Sequence, residues 1–148
     1  MTEEQKQQIY LGFDFGMRRI GVAIGQTVTN TASPLPLILA NQGIPNWHEI
    51  EVIIKKWNPS ALIVGVPLNM DTDEFEFVAN MAREFAQSLQ KRFNLPVHII
   101  DERLTTKAAR EFIYETFGYK ALQTQPIDSF AAKFILESWM NQQNTDSK

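Results

Sequence analysis

Gln8-Ile-Tyr-Leu-Gly-Phe-Asp-Phe-Gly-Met-Arg-Arg-Ile-Gly-Val-Ala-Ile-Gly25 is the stretch from which the rest of the chain is read. Two apolar segments flank Met17-Arg18-Arg19, which predicts two strands joined by a short turn. Strand residues alternate faces. Leu11, Phe13 and Phe15 therefore fall on one side, and Tyr10, Gly12, Asp14 and Gly16 on the other. The second side carries one acid between two glycines. Glycine packs nothing and weakens a strand, and its usual reason there is close approach of another backbone or of a ligand. Asp is common in turns, so Asp14 can simply close the strand. Against that, apolar residues continue past it, and a buried carboxylate is costly unless paired, hydrogen-bonded or bound to metal.

The remainder of the chain supplies the partners for this hairpin. At 148 residues, with 44% hydrophobic and 21% charged residues, the expectation is one globular domain spanning 1–148, with loose tails at 1–7 and 141–148. The formal net charge of −3 gives no global basic field, so a nucleic acid would have to meet a local patch. The absence of cysteine excludes disulfides and thiolate metal sites. No apolar run has the length of a membrane span, and the polar first residues lack the core of a signal peptide. A cytoplasmic protein with no membrane partner is expected.

After the hairpin, 26–33 reads as a polar loop and 35–39 as a short third strand on the sheet edge, where proline is best tolerated. Residues 41–45 read as a turn. Asn46 with Glu49 marks a helix start, and Trp47, Ile50, Ile54 and Trp57 recur at helical spacing up to Asn58-Pro59. The apolar run 61–67 suits a strand covered on both faces of a parallel sheet. A second helix is expected from residue 73 or 74 to 93, with Phe77, Met81, Phe85 and Leu89 as its packing stripe. A strand follows at 97–101. A third helix begins at Thr105 or Thr106, with Ala109, Phe112, Ile113 and Phe117 inward, and ends at Gly118. Pro126-Ile127-Asp128 opens a last helix whose Ala131, Ala132, Ile135 and Trp139 can pack. The order βββαβαβαα predicts an α/β fold in which a mixed five-stranded sheet is flanked by helices.

Acids gather where such a fold places ligands, outside the carboxyl ends of parallel strands. Asp14 is late in strand one, Asp101 and Glu102 end the last strand, and Asp128 opens the last helix. Alternation sends Asp101 and Glu102 to opposite faces, so one of them joins Asp14. Converging carboxylates repel unless a cation sits among them, and oxygen-only ligation suits Mg²⁺ or Mn²⁺. Each acid also has a plainer reading. Asp128 complements the helix dipole, Asp101 caps its strand or pairs with Arg103, and Glu102 is a solvated surface acid. Neither His48, in a helix's first turn, nor His98, within a strand, reads as a metal ligand.

Four segments together resemble the YqgF (RuvX) family, described both as Holliday-junction resolvases and as nucleases of the ribosomal RNA precursor. They are Gly12-Phe-Asp-Phe-Gly with Arg18-Arg-Ile-Gly-Val-Ala, Leu62-Ile-Val-Gly-Val-Pro-Leu-Asn-Met-Asp71, Asp101-Glu-Arg-Leu-Thr-Thr-Lys-Ala-Ala, and Ile127-Asp-Ser-Phe-Ala-Ala-Lys-Phe-Ile-Leu136. The resemblance spans about 9–136. It implies a ribonuclease-H-like fold with strand order 3-2-1-4-5 and a divalent-metal nuclease site. By position it implies Asp14, Glu102 and Asp128 as catalytic metal ligands, with Asp101 as a substitute. It also implies pre-16S ribosomal RNA 5′-end maturation or branched-DNA cleavage, and ribosomal particles as further partners.

Arg18, Arg19, Arg103, Lys107 and Arg110 are candidates for phosphate contact, and Asn69 for a substrate hydrogen bond. Two departures from the family pattern bear on affinity. Thr72-Asp73-Glu74-Phe75 stands where glycine usually follows, and Gln123-Thr-Gln-Pro stands where lysine is frequent. Two other readings compete. One is a nucleic-acid-binding or ribosome-associated module without turnover. The other is a nucleotide-binding remnant, because the hairpin also looks like the first phosphate-binding hairpin of actin-like ATPases, although the chain is short for their two-lobed cleft.

Overall fold

A computed structural model describes residues 8–66, 73–101 and 127–146, with Glu111 and Glu115 as single helical positions; at 73–75, 127–128 and 144–146 it describes the backbone alone. The expected hairpin forms as β1 (Ile9–Asp14) and β2 (Arg19–Gln26), antiparallel, with Asp14 opposite Gly21. Asp14 is the last strand residue, and Phe15 continues into the core from outside the strand.

Two parallel strands follow on the other side of β1. β5 (Ala61–Val66) is buried along its whole length, as a continuous apolar run requires, and pairs with β1 and with β6 (Val97–Asp101). The described sheet has six strands rather than the expected five, in the order β4-β3-β2-β1-β5-β6. The extra strand, β4 (Ile44–Pro45), pairs only with the end of β3, in the stretch expected to be a turn. Without it the order is the expected 3-2-1-4-5.

β3 (Thr31–Asn41) is much longer than the predicted 35–39. Its two prolines do not confine the strand, because the outer edge needs few donors. Pro34 and Pro36 have none, and the Ala32 N–H bonds a Glu137 carboxylate oxygen at 3.0 Å. A β-bulge interrupts the β2–β3 ladder: Ile20 pairs with Ile38 and Val22 with Leu35, so Gly21 faces both Pro36 and Leu37.

The helices divide between the two sheet faces. α1 (Trp47–Trp57) is capped as expected, the Glu49 N–H bonding the Asn46 side chain at 3.4 Å, and it stops at left-handed Asn58. α2 (Asp73–Phe93) ends at left-handed Asn94. With Leu11, Phe13, Phe15 and Val64 they form a core centred on Phe85, whose ring lies 5.6 Å from Phe13, 5.4 Å from Phe15 and 5.8 Å from Trp47. The predicted α2 stripe fails at its first member: Phe77 is 57% exposed, while Phe85 and Leu89 are buried.

α3 (Ile127–Asp146) covers the opposite face, where Ala132, Ile135, Leu136 and Trp139 pack on Ala23, Ala32 and Ile63. It runs through most of what reads as a polar tail, since Asn and Gln do not break a helix. Among the described residues no helix is long and apolar enough to cross a membrane. The predicted helix after Thr105 lies outside the described residues except for Glu111 and Glu115, both helical and exposed.

Candidate active site

Asp14 is buried, at 9% exposure, at the carboxyl end of β1 and on the face that α3 covers. The two glycines that bracket it along the chain serve the protein's own packing. A Cβ at Gly12 would come within 2.9 Å of Leu136 Cβ and 3.1 Å of the Ala132 carbonyl oxygen, so α3 rests directly on that backbone. A Cβ at Gly16 would collide with the Arg19 carbonyl oxygen, so Gly16 is needed for the tight turn.

The glycines level with Asp14 on the neighbouring strands are others. Its ladder partners are Gly21 on β2 and Gly65 on β5. At that register position both neighbouring strands carry glycine. Sequence alternation along β1 misses this arrangement, because it becomes visible only once the register aligns three strands.

The register also separates Asp101 from its neighbour. Gly65 pairs with Ile100, which packs in the α3-side core, whereas Asp101 pairs with Val66, which belongs to the α1–α2 core. Asp101 thus occupies the face opposite Asp14. Glu102, Asn69, Arg103, Lys107 and Arg110 lie outside the described residues. Arg18, in the β1–β2 turn, and Arg19, the first residue of β2, are exposed at the Asp14 edge, and backbone bonds from Ala40 N to Arg18 O (2.8 Å) and Gly43 N to Met17 O (2.9 Å) tie that turn to the neighbouring strand end.

α3 runs antiparallel to β1, which brings its amino end to the acidic edge. Trp139 packs on Tyr10 with ring centroids 4.9 Å apart, Ala132 and Leu136 lie over Gly12, and Ser129 bonds Val22, the partner of Phe13. Going from Gly12 to Asp14 advances about 7 Å along the strand. Going from Ala132 back to Asp128 retreats about 6 Å along the helix. The backbone of Asp128 therefore stands at the Asp14 end of the sheet, on the helical stripe shared by Ile135 and Trp139. Among the described residues, no three Asp, Glu or His side chains form a metal cluster. His48 and His98 are both exposed, and His98 stacks on Trp139 at 5.1 Å.

This framework has known counterparts. A family profile described as "RuvX: Holliday junction resolvase" matches residues 8–142. The chain belongs to the RuvX family. A protein of Legionella pneumophila (strain Paris) named "Putative pre-16S rRNA nuclease" is 52% identical over 134 residues, covering 90% of this chain and 96% of that protein. A protein of the same name from Actinobacillus pleuropneumoniae serotype 5b (strain L20) is 52% identical over 133 residues, with the same coverage.

Solved resolvases share the RuvX fold at low identity. Thermus thermophilus RuvC in complex with Holliday junction substrate matches with a TM-score of 0.60 at 15% identity, covering 93% of this chain and 96% of that one. The Fowlpox virus resolvase in complex with Holliday junction DNA matches with a TM-score of 0.51 at 16% identity, covering 92% and 99%. The expected ribonuclease-H-like, resolvase-type architecture is thus the observed one, and RuvX membership makes the chain one of a family of nucleases.

Proposed function

We propose that this chain is a divalent-metal-dependent nuclease in which Asp14 is the central ligand of Mg²⁺ or Mn²⁺. The observation that carries this is the placement of Asp14: a buried carboxylate at a strand's carboxyl end, between two strand glycines, under the amino end of α3. Burying such a charge is costly unless a cation or hydrogen bonds repay it. Oxygen is the available donor type, since the chain has no cysteine and both histidines lie elsewhere. Glu102 and Asp128, the acids that the family resemblance picks out, complete the ligand set. Asp101, across the sheet, stays outside it.

Held by these residues, the metal would supply charge stabilisation to the attacking and leaving oxygens of a phosphodiester displacement. The chain's own residues hold that arrangement and the substrate. Asp14 anchors it on a rigid strand. Arg18 and Arg19 meet phosphates from the turn at the same edge, and Asn69, Arg103, Lys107 and Arg110 join them. The substrate is pre-16S ribosomal RNA, as the names of the 52%-identical relatives suggest, cut toward the 5′ end that the family resemblance implies, with branched DNA as the second substrate that the family description suggests.

The test is cleavage of both substrates with Mg²⁺ or Mn²⁺. Asp14→Asn should lower the rate at least about 100-fold with little change in melting temperature. Undiminished cleavage by that variant overturns the assignment. One other reading is a nucleic-acid-binding module without turnover, which the family fold also allows. Salt-dependent binding of the same RNA with no cleavage under either metal would select it.

A further inference from the structure

Ser129 is fully buried, follows Asp128 directly, and has no part in the ligand set above. Its hydroxyl accepts a hydrogen bond from the Val22 N–H at 3.4 Å and donates one to the Leu35 carbonyl at 2.7 Å. Val22 and Leu35 are ladder partners at the edge of the β2–β3 bulge, where Gly21 faces Pro36 and Leu37. The hydroxyl thus bridges two backbone groups where the strand register changes. Gly21 is the residue opposite Asp14, so the bridge sits one ladder step from the proposed metal ligand.

From this we infer that Ser129 is a positioning residue for the metal site: its two bonds set the height and rotation of the first turn of α3 over the sheet, and through it the place of Asp128 relative to Asp14. The inference rests on the metal-nuclease reading. A core alanine would hold the helix by packing alone, which tolerates sliding. A hydroxyl bound to both strands of a bulge does not. The middle of α3 has a comparable clamp: Glu137 accepts the Ala32 N–H at 3.0 Å and pairs with Lys133 at 3.0 Å. Ala32 and Asn30, which bonds Asn141 at 2.7 Å, lie at the opposite end of the sheet from Asp14. Among the described residues the helix thus carries polar anchors at Ser129, Glu137 and Asn141, and of these only the Ser129 anchor adjoins the site.

The experiment compares Mn²⁺ binding, by calorimetry or by electron paramagnetic resonance, with the melting temperature of the metal-free chain. The proteins are wild type, Ser129→Ala, Ser129→Cys, Glu137→Ala and Asp14→Asn. Ser129→Cys keeps the volume with a weak hydrogen-bonding group, so it remains informative if the alanine variant does not fold. The expected result is that both Ser129 variants weaken Mn²⁺ binding about tenfold and lower kcat more than they raise KM for RNA. Glu137→Ala should lose comparable thermal stability and bind Mn²⁺ like wild type. Ser129 variants that bind Mn²⁺ no more weakly than Glu137→Ala overturn the inference. Wild-type Mn²⁺ binding by Asp14→Asn overturns the metal reading beneath it, a separate outcome.

Discussion

On one face of the sheet, α1 and α2 meet Leu11, Phe13, Phe15 and Val64 with Ile50, Phe85 and Leu89; on the other, α3 meets Gly12, Ala23, Gly25 and Ala32 with Ala132, Leu136 and Met140. The first face is bulky. Its aromatic rings meet in several orientations around Phe85, from edge-on to nearly stacked, and large side chains hold the helices away from the strands. The second brings a helix backbone down onto strand glycines, and polar bonds from Ser129 and Glu137 fix its position. The lesson is a division of labour. Bulk burial supplies stability and tolerates small shifts, whereas close approach fixes distances, and the proposed chemistry belongs on the close side with Asp14.

Substitutions on the two faces can break or sharpen that contrast. Leu89→Ala removes a fully buried side chain on the bulky face and should cost about 2–5 kcal/mol of stability. Chemical denaturation measures the loss, and Mn²⁺ affinity of the folded protein should not change. A large loss of affinity would mean that the faces are not separable.

Gly12→Ala should cost about 1–3 kcal/mol, because the new methyl meets Leu136 Cβ and the helix backbone, and it should also weaken Mn²⁺ binding by lifting α3. Gly25→Ala is the milder companion. Its methyl meets the mobile ends of Leu136 and Met140, so stability should stay within about 1 kcal/mol of wild type. Equal effects from the two glycines would contradict the close-approach account.

The smallest effect concerns Tyr10, packed against Trp139 and donating to Gln8 Oε1 at 3.0 Å. Burial raises the pKa of its phenol. The folded chain therefore holds that proton more tightly than the unfolded chain. The stability it contributes is full below the unfolded value of about 10 and is lost as pH rises through the folded value. Tyr10→Phe should flatten the alkaline limb of a melting-temperature profile. An unchanged limb would show that the phenol does not govern it.

Much of this was readable in particular residues. Alternation about Asp14 sorted Leu11 and Phe13 from Tyr10 and Gly12 correctly, Asn46 and Asn58 marked the ends of α1, and the run 61–67 read as a strand covered on both faces, which Ala61–Val66 is. These signals are local. What stayed hidden depends on partners distant in the chain. Pro34 and Pro36 pointed to an edge strand but not to its length of Thr31–Asn41, and the polar 141–146 read as a tail because its helix is held from the sheet side.

Phe77 matched the α2 stripe by spacing, yet it is exposed. The roles of Gly21 and Gly65 beside Asp14, and of Ser129 in the bulge, follow only from register. The Asp-Ser pair at 128–129, in a helix whose neighbours are apolar, was the available hint that a polar anchor sits there.

The most direct test is a crystal of the chain soaked in Mn²⁺, with the ion located by its anomalous signal. The account predicts density beside Asp14, between Gly21 and Gly65, with carboxylate oxygens of Asp14, Glu102 and Asp128 about 2 Å from the metal. Manganese bound elsewhere, or those three carboxylates too far apart to share a centre whose ions lie about 4 Å from each other, would contradict it.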